Sequence, residues 1–200
     1  MNGSLPLFGE PRPERADAAE NRRKVLAAAE RLFTANGPAN VTMDAVAAEA
    51  GVGKGTLFRR FGDRAGLARA IVSEVEAGLQ DDLIRGAPPL GPGAPPLERL
   101  VAFGRAYLGF LGHHAEMLRE AEGSHEHHLT SSPYDVYRTH ITILLREGGV
   151  TEHVGYLADV VLAPLSAIAF GYHRNGRGLS TEELAQAHAE LCRRLLDSGR

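Results

Sequence analysis

The stretch Thr42–Phe61, Thr-Met-Asp-Ala-Val-Ala-Ala-Glu-Ala-Gly-Val-Gly-Lys-Gly-Thr-Leu-Phe-Arg-Arg-Phe, constrains the fold more than any other part of this 200-residue chain. It holds two short helix-like segments on either side of Gly51. The first, Met43 to Ala50, follows Thr42, whose hydroxyl can cap a helix, and carries Asp44 in its first turn, where the helix dipole favours an acid. Ala45, Ala47, Ala48 and Ala50 are small enough for a second helix to cross closely. Gly51 suits the left-handed residue that ends a helix, and Val52 can plug the turn into a core. In the second segment, about Lys54 to Phe61, Leu57 and Phe61 are four apart and share one face. Lys54, Thr56, Arg59 and Arg60 are left to face outward. Two helices joined through a glycine turn, the second apolar on one face and basic on the other, form a helix-turn-helix. A helix of that size fits the major groove of DNA with its first residues toward the base edges. An ordinary helical hairpin with a solvated basic face shares part of this pattern.

The rest of the chain reads as helix throughout, with no sustained strand alternation, so the expected class is all-α with about nine helices. Residues 1–17, with three prolines and two glycines, read as a flexible arm. From about Ala19 to Asn36, Val25, Ala29, Leu32 and Phe33 define one helical face, closed by Gly37-Pro38. Asp63 can cap a fourth helix, expected over Arg64 to Asp82, through Leu67, Ile71, Val75 and Leu79. Gly86 to Pro96 is too rich in proline and glycine for a helix and reads as a linker or long loop between head and body. Beyond it come Leu97 to Gly112, a separate helix from His114 to about Gly123, and one from Ser132-Pro133 to Glu147. A continuous helix is expected from about Glu152 to Arg174. The last is opened by the capping-box pattern Ser180-Thr-Glu-Glu183 and ends near Asp197. The expected domains are therefore a helix-turn-helix head over 18–66 and a body over 67–200, with the loop 86–96 after the fourth helix.

Composition narrows the function. At 44% hydrophobic and 24% charged residues the chain is an ordinary globular one and not a disordered one. Its longest apolar stretch, Val160 to Phe170, contains Pro164 and is short of the roughly 20 residues a membrane helix needs. The first eight residues lack a basic start followed by an apolar run, so no secretory signal is expected and a cytoplasmic location is. The single cysteine, Cys192, excludes internal disulfides and multi-cysteine metal sites. Net charge is −3, yet it is unevenly spread: eleven basic against eight acidic residues up to position 70, and eleven against seventeen beyond it. A basic head on an acidic body points to a head that meets an anion. The string Gly51-Val-Gly-Lys-Gly-Thr56 is not a phosphate-binding P-loop. Gly55 stands where a Ser or Thr must hold magnesium, Ala48 stands at the first glycine position, and the preceding segment is helical.

The run Ala48-Glu-Ala-Gly-Val-Gly-Lys-Gly-Thr-Leu-Phe-Arg-Arg-Phe-Gly-Asp-Arg-Ala-Gly-Leu67 resembles the TetR family of bacterial transcriptional regulators. The resemblance covers the head, roughly residues 20 to 70; the body matches only in length and helix count. It implies a homodimeric, ligand-responsive regulator, a repressor by preference, that binds a double-stranded DNA operator and has no enzymatic activity, cofactor, metal or membrane partner. Thr42 resembles the helix-2 cap that donates to a phosphate. Lys54, Gly55 and Thr56 open the recognition helix, where Gly55 permits close backbone approach. Phe58 stands where the family has Tyr or Phe, and lacks the hydroxyl. Arg60 replaces a frequent His or Tyr and suits a phosphate, as does Arg64 at the position of a usual Lys. Arg59 reads equally as a DNA contact or a solvated residue. Gly53 replaces the more common Ser cap.

One short recognition helix reads too few base pairs, and two heads about one turn of DNA apart, roughly 34–36 Å, solve this. The resemblance assigns the dimer face to the last two long helices, through Leu157, Val161, Leu165, Ile168, Leu184, Leu191 and Leu195. It implies a ligand pocket in the body, for which Phe103, Tyr107, Phe110, Met117, Leu118, Tyr134, Tyr137, Ile141 and Phe170 are candidates. His113, His114, His125, His127, His128 and His140 cluster in sequence, with Glu122 and Glu126 nearby. A metal effector site or a metal-dependent enzyme built on them stays open, as does a helical adaptor that never meets DNA; a solvated polar loop is the simpler reading.

Overall fold

A computed structural model describes residues 13–122 and 132–197, with side-chain surroundings for 18–121 and 133–197. The arm and His125, Glu126, His127 and His128 therefore lie largely or wholly outside the described residues. Among the described residues there is no strand, and the chain divides into two compact units between Leu67 and Ala68.

The first unit begins with α1 (Pro13–Asn36), which buries Val25, Leu26, Ala28, Ala29 and Phe33. It ends where Gly37 takes a positive φ of 75° and a single 3-10 turn, Pro38–Asn40, follows. Thr42 then starts α2 (Met43–Ala50), its Oγ1 accepting from the Ala45 N–H at 3.1 Å. Gly51 closes α2 in the left-handed region (φ 66°), its N–H returning to the last turn, and Val52 donates to the Ala47 carbonyl at 3.0 Å. A residue with a β-carbon would be strained at that φ. The helix α3 (Lys54–Phe61) follows and ends at Gly62. Val46, Ala47, Leu57 and Phe61 join the α1 residues in the core; burying each large apolar side chain is worth about 1.5–3 kcal/mol.

α4 (Arg64–Arg85) starts where Asp63 Oδ1 accepts from the Gly66 N–H at 2.7 Å. It runs without a break across the division between the units, so the loop 86–95 is not a linker between head and body. That loop lies inside the second unit as a series of turns, with Gly91 donating to the Ala87 carbonyl. The centre of the second unit is α5 (Pro96–Glu122), which packs on α6 (Ser132–Glu147), on α8 (Ala167–Gly171) and on the last helix, α9 (Thr181–Asp197). α5 is one helix, not two. Gly112 costs it about 1 kcal/mol of propensity, and the burial of Leu111, Met117 and Leu118 on either side outweighs that. At Gly104 a β-carbon would stand 2.2 Å from His188 Nδ1, so the missing side chain is what lets α9 seat its buried histidine against α5.

The continuous helix expected from Glu152 to Arg174 is broken. α7 (Val154–Leu162) begins after His153, which has a positive φ of 52°, and stops before Pro164. Proline has no N–H to donate and its ring crowds the preceding turn. Ser166 starts α8, accepting from the Ala169 N–H at 3.2 Å, and a π-turn over Tyr172–Gly176 follows. No single helix among the described residues is long and apolar enough to cross a membrane. The pair Val154–Leu162 and Ala167–Gly176 reaches that length only together, bent by 42°, and Val161, Leu162, Leu165 and Phe170 within it are buried in protein. At α9 the capping box forms: Glu183 Oε2 accepts from the Ser180 N–H at 2.7 Å and Ser180 Oγ accepts from the Glu183 N–H at 3.1 Å.

Candidate nucleic-acid interface

Of the eight residues of α3, only Leu57 and Phe61 are buried; Lys54, Gly55, Thr56, Phe58, Arg59 and Arg60 are all exposed. The two buried side chains, one turn apart, anchor the helix on the head core, and the Arg22 guanidinium lies 5.8 Å from the Phe61 ring centroid on the inner side. The outer face is thereby presented whole. Phe58 is an unusual element of it, a phenylalanine left 47% exposed. No side chain caps the N-terminus of α3 at Gly53, so the positive end of its dipole faces outward together with its first N–H groups. A β-carbon added at Gly55 would meet nothing within 4 Å. The chain's own packing does not require a glycine there.

Thr42, exposed at the start of α2, uses its oxygen lone pair to cap the helix and keeps its hydroxyl proton to donate. The basic residues are more constrained than the sequence implied. Lys54 Nζ is paired with Asp44 Oδ2 at 2.5 Å, from the first turn of α3 to the first turn of α2. Arg60 Nη1 donates to the Ala18 carbonyl of α1 at 2.9 Å, and Arg64 Nη1 to the Ala39 carbonyl at 2.8 Å. Arg59 has no partner among the described residues. Arg31 pairs with Glu49 of α2 at 3.0 Å. Sequence reasoning missed Asp44 as a partner of the recognition helix; it had been assigned only to the dipole of α2.

All nine candidate pocket residues are buried. Phe103, Tyr107, Phe110 and Tyr137 pack ring against ring at centroid distances of 5.2–5.8 Å. Tyr134 instead donates to Asp159 Oδ1 at 3.0 Å, which Arg138 also binds at 2.7 Å; burial and that bond push its hydroxyl up to about 12. These residues are core. An open cavity of about 390 Å³ lies elsewhere, lined by Leu83 and Ile84 of α4 and by Asp135, Val136, Thr139, His140 and Ile143 of α6. None of the nine candidates lines it. The spacing of Val136, His140 and Ile143 marks that second face of α6 in the sequence, where it was overlooked beside the aromatic one.

Of the expected dimer residues, Val161 and Leu165 are buried within the protomer at 0% and 1% exposure and have no surface to offer. Leu157, Leu184, Leu191 and Leu195 keep partial exposure, and Ile168 is open, as are Tyr156 and Tyr172 on the same elements. Among the described residues no group of three or more His, Cys, Asp or Glu converges as a metal site. His113 is turned to the Gly109 carbonyl at 2.8 Å.

Residues 25–71 match the family described as bacterial regulatory proteins, tetR family. An HTH-type transcriptional regulator of Staphylococcus aureus (strain USA300) is 40% identical over 58 residues, 29% of this chain and 31% of that protein. The match thus spans about a third of the length of that curated relative. The fold likeness is broader. A TetR-family transcriptional regulator from Pectobacterium atrosepticum superposes with a TM-score of 0.65 at 25% identity, covering 92% of this chain and 96% of the other. A chain from Saccharomonospora viridis, solved in complex with choline, gives 0.69 at 20% identity, covering 86% and 95%. The exposed, basic helix α3 thus lies within the segment, residues 25–71, that matches the bacterial regulatory proteins of the tetR family, and the chain shares the fold of a solved TetR-family regulator.

Proposed function

We propose that this protein is a homodimeric transcription regulator, a repressor that a small-molecule effector releases from its operator. The observation that carries the reading is α3, a basic helix held by Leu57 and Phe61 with every other side chain exposed. Lys54, Thr56 and Phe58 are assigned to base edges or nearby sugars, with Gly55 allowing the approach. Thr42, Arg59, Arg60 and Arg64 are assigned to phosphates, which set affinity and register more than sequence choice. The apolar area left open at Leu157, Ile168, Leu184, Leu191 and Leu195 supports an isologous dimer, which places two recognition helices on successive turns of one DNA face. α4 begins in the head at Arg64 and ends with Leu83 and Ile84 on the wall of the body cavity. A molecule bound there acts on the helix that leads to the head, and its leverage equals its differential affinity for the two arrangements. That a neighbour of this fold holds choline supports a small-molecule effector.

Footprinting on the DNA upstream of the protein's own gene tests the reading. Wild-type protein protects a two-fold symmetric site. The double substitution Lys54→Ala, Thr56→Ala removes site selection and leaves a dimer in sedimentation. Unchanged footprints from the double variant, or a monomeric wild type, would refute the assignment.

A further inference from the structure

We infer that the open cavity between the last turn of α4 and the outer face of α6 is a receptor for a small amphipathic ammonium ion, its head at Asp135 and its tail lying along Leu83, Ile84, Val136 and Ile143. The inference rests on the effector reading above and deepens it by naming the chemical class.

The tail side follows from exposure. Six large apolar side chains stand open among the described residues. Phe58 belongs to the face assigned to DNA, and Tyr156, Ile168 and Tyr172 to the elements assigned to the dimer. That leaves Ile84 and Ile143, 60% and 48% exposed, which neither assignment covers. With Leu83 and Val136 they line a trough whose 390 Å³ lies at the small end of ligand sites, about 300–1,000 Å³. The head side follows from charge. Asp135 carries the one charge among the lining side chains; it is exposed and makes no hydrogen bond or ion pair among the described residues. Arg138, three residues on, feels that charge but is taken by Asp159, which accepts from its Nε at 2.7 Å and its Nη2 at 3.3 Å. Thr139, one turn along the same wall, adds a hydroxyl that can accept from an ammonium N–H. His140 does not oppose a cation: burial and then the Arg99 charge hold its imidazole down to about 4, so it is neutral at pH 7. Arg99 itself stays out of the lining, its Nη2 donating to the Leu83 carbonyl at 3.1 Å. Its positive charge near Leu83 and His140, against the negative one at Asp135, sets the direction in which a cation lies. Asp135 and Ile143 are about 12 Å apart along the helix axis, which an eight-carbon amine spans. An acid head would meet Asp135 with like charge, and an alcohol would leave that charge unanswered.

Titration calorimetry of the full-length protein with octylamine, protonated at pH 7, tests this, with octanol and octanoate as head-group controls of the same chain length. One octylammonium per chain is expected, about fivefold tighter than octanol, the ceiling for an exposed ion pair. Octanoate should bind more weakly than octanol. Asp135→Asn should bring octylammonium down to the affinity of octanol and leave octanol unmoved, and rising salt should narrow the same gap. The double substitution Ile84→Gln, Ile143→Gln, at two exposed positions away from the head group, should weaken octylammonium and octanol alike by about tenfold while circular dichroism stays unchanged. Octanol or octanoate binding as tightly as the amine, or full octylammonium affinity in Asp135→Asn or in the double variant, overturns the proposal. Gel shifts on the upstream DNA in the same samples keep the two claims apart. Octylammonium bound with the DNA complex undisturbed upholds the cation site and refutes the effector role. No DNA complex under any condition refutes the regulator reading alone.

Discussion

Replacing Asp44 by Asn should make this protein bind DNA more tightly. In the structure Lys54, at the tip of the recognition helix, is held by Asp44 at 2.5 Å, and both side chains are more than half exposed (65% and 56%). Lys54 can reach a base or phosphate only by leaving that carboxylate, so the pair is a cost charged to DNA binding. Exposed pairs of this kind are worth roughly 0–1 kcal/mol. Neutralising Asp44 therefore returns at most about 1 kcal/mol per head, or about fivefold per half-site, with a further small gain from removing an anion near the phosphates. The same change removes an acid from the first turn of α2, costing the head about 0.3–1 kcal/mol of stability. Fluorescence anisotropy on a labelled operator, run from 50 to 300 mM salt, measures the first effect, and thermal unfolding the second. Tighter binding with a slightly lower melting point is expected. The gain should vanish in the Lys54→Ala background, because the two residues act as one pair. An Asp44→Asn protein that binds more weakly, or whose gain survives without Lys54, would refute the assignment of Lys54 to the DNA.

Gly55→Ala should oppose stability to function: the added methyl meets no atom of the chain within 4 Å, so the head gains up to about 1 kcal/mol of helix propensity, while operator affinity in gel shifts falls. Gly104→Ala drives a β-carbon into His188 and should destabilise the body by about 1–3 kcal/mol in urea titration; a neutral result would mean that α9 is not seated there. Acid should also weaken the body. Burial and then Arg99 push His140 down to about 4, and burial lowers His188 despite its bond to the Val161 carbonyl. Both groups bind protons more readily when unfolded, so their contribution is complete above pH ~6.5 and is lost as pH falls toward 4. For His140, discounted for its partial exposure, this amounts to about 1–2 kcal/mol. Denaturation at pH 7 and pH 4.5 should show that loss, smaller in His140→Phe; equal stability at both pH values would contradict the burial of these rings.

The parts of this protein readable from its residues alone are those settled within about one helical turn. Thr42, Asp63 and the Ser180–Glu183 box announce helix starts because each side chain bonds an N–H three residues on. Gly37 and Gly51 announce helix ends because only glycine takes those backbone angles without strain. Leu57 and Phe61 show the inner face of α3 because their spacing matches the helix, and the polar remainder shows the outer face. For that reason the helix starts, helix ends and buried face of the head were legible from single residues. The body was legible only as helices. Whether Phe103 and Tyr137 form a wall or a core, whether Val161 faces a partner or its own chain, and where Lys54 and Arg60 rest all depend on neighbours far away in sequence. A helix pattern states that a face is apolar without naming what covers it. Packing against α5 and α7 made the aromatic face of α6 core and left Val136, His140 and Ile143 as the open side. Pro164 warned of a break between α7 and α8, but the angle and the new start at Ser166 came from what those short helices had to bury.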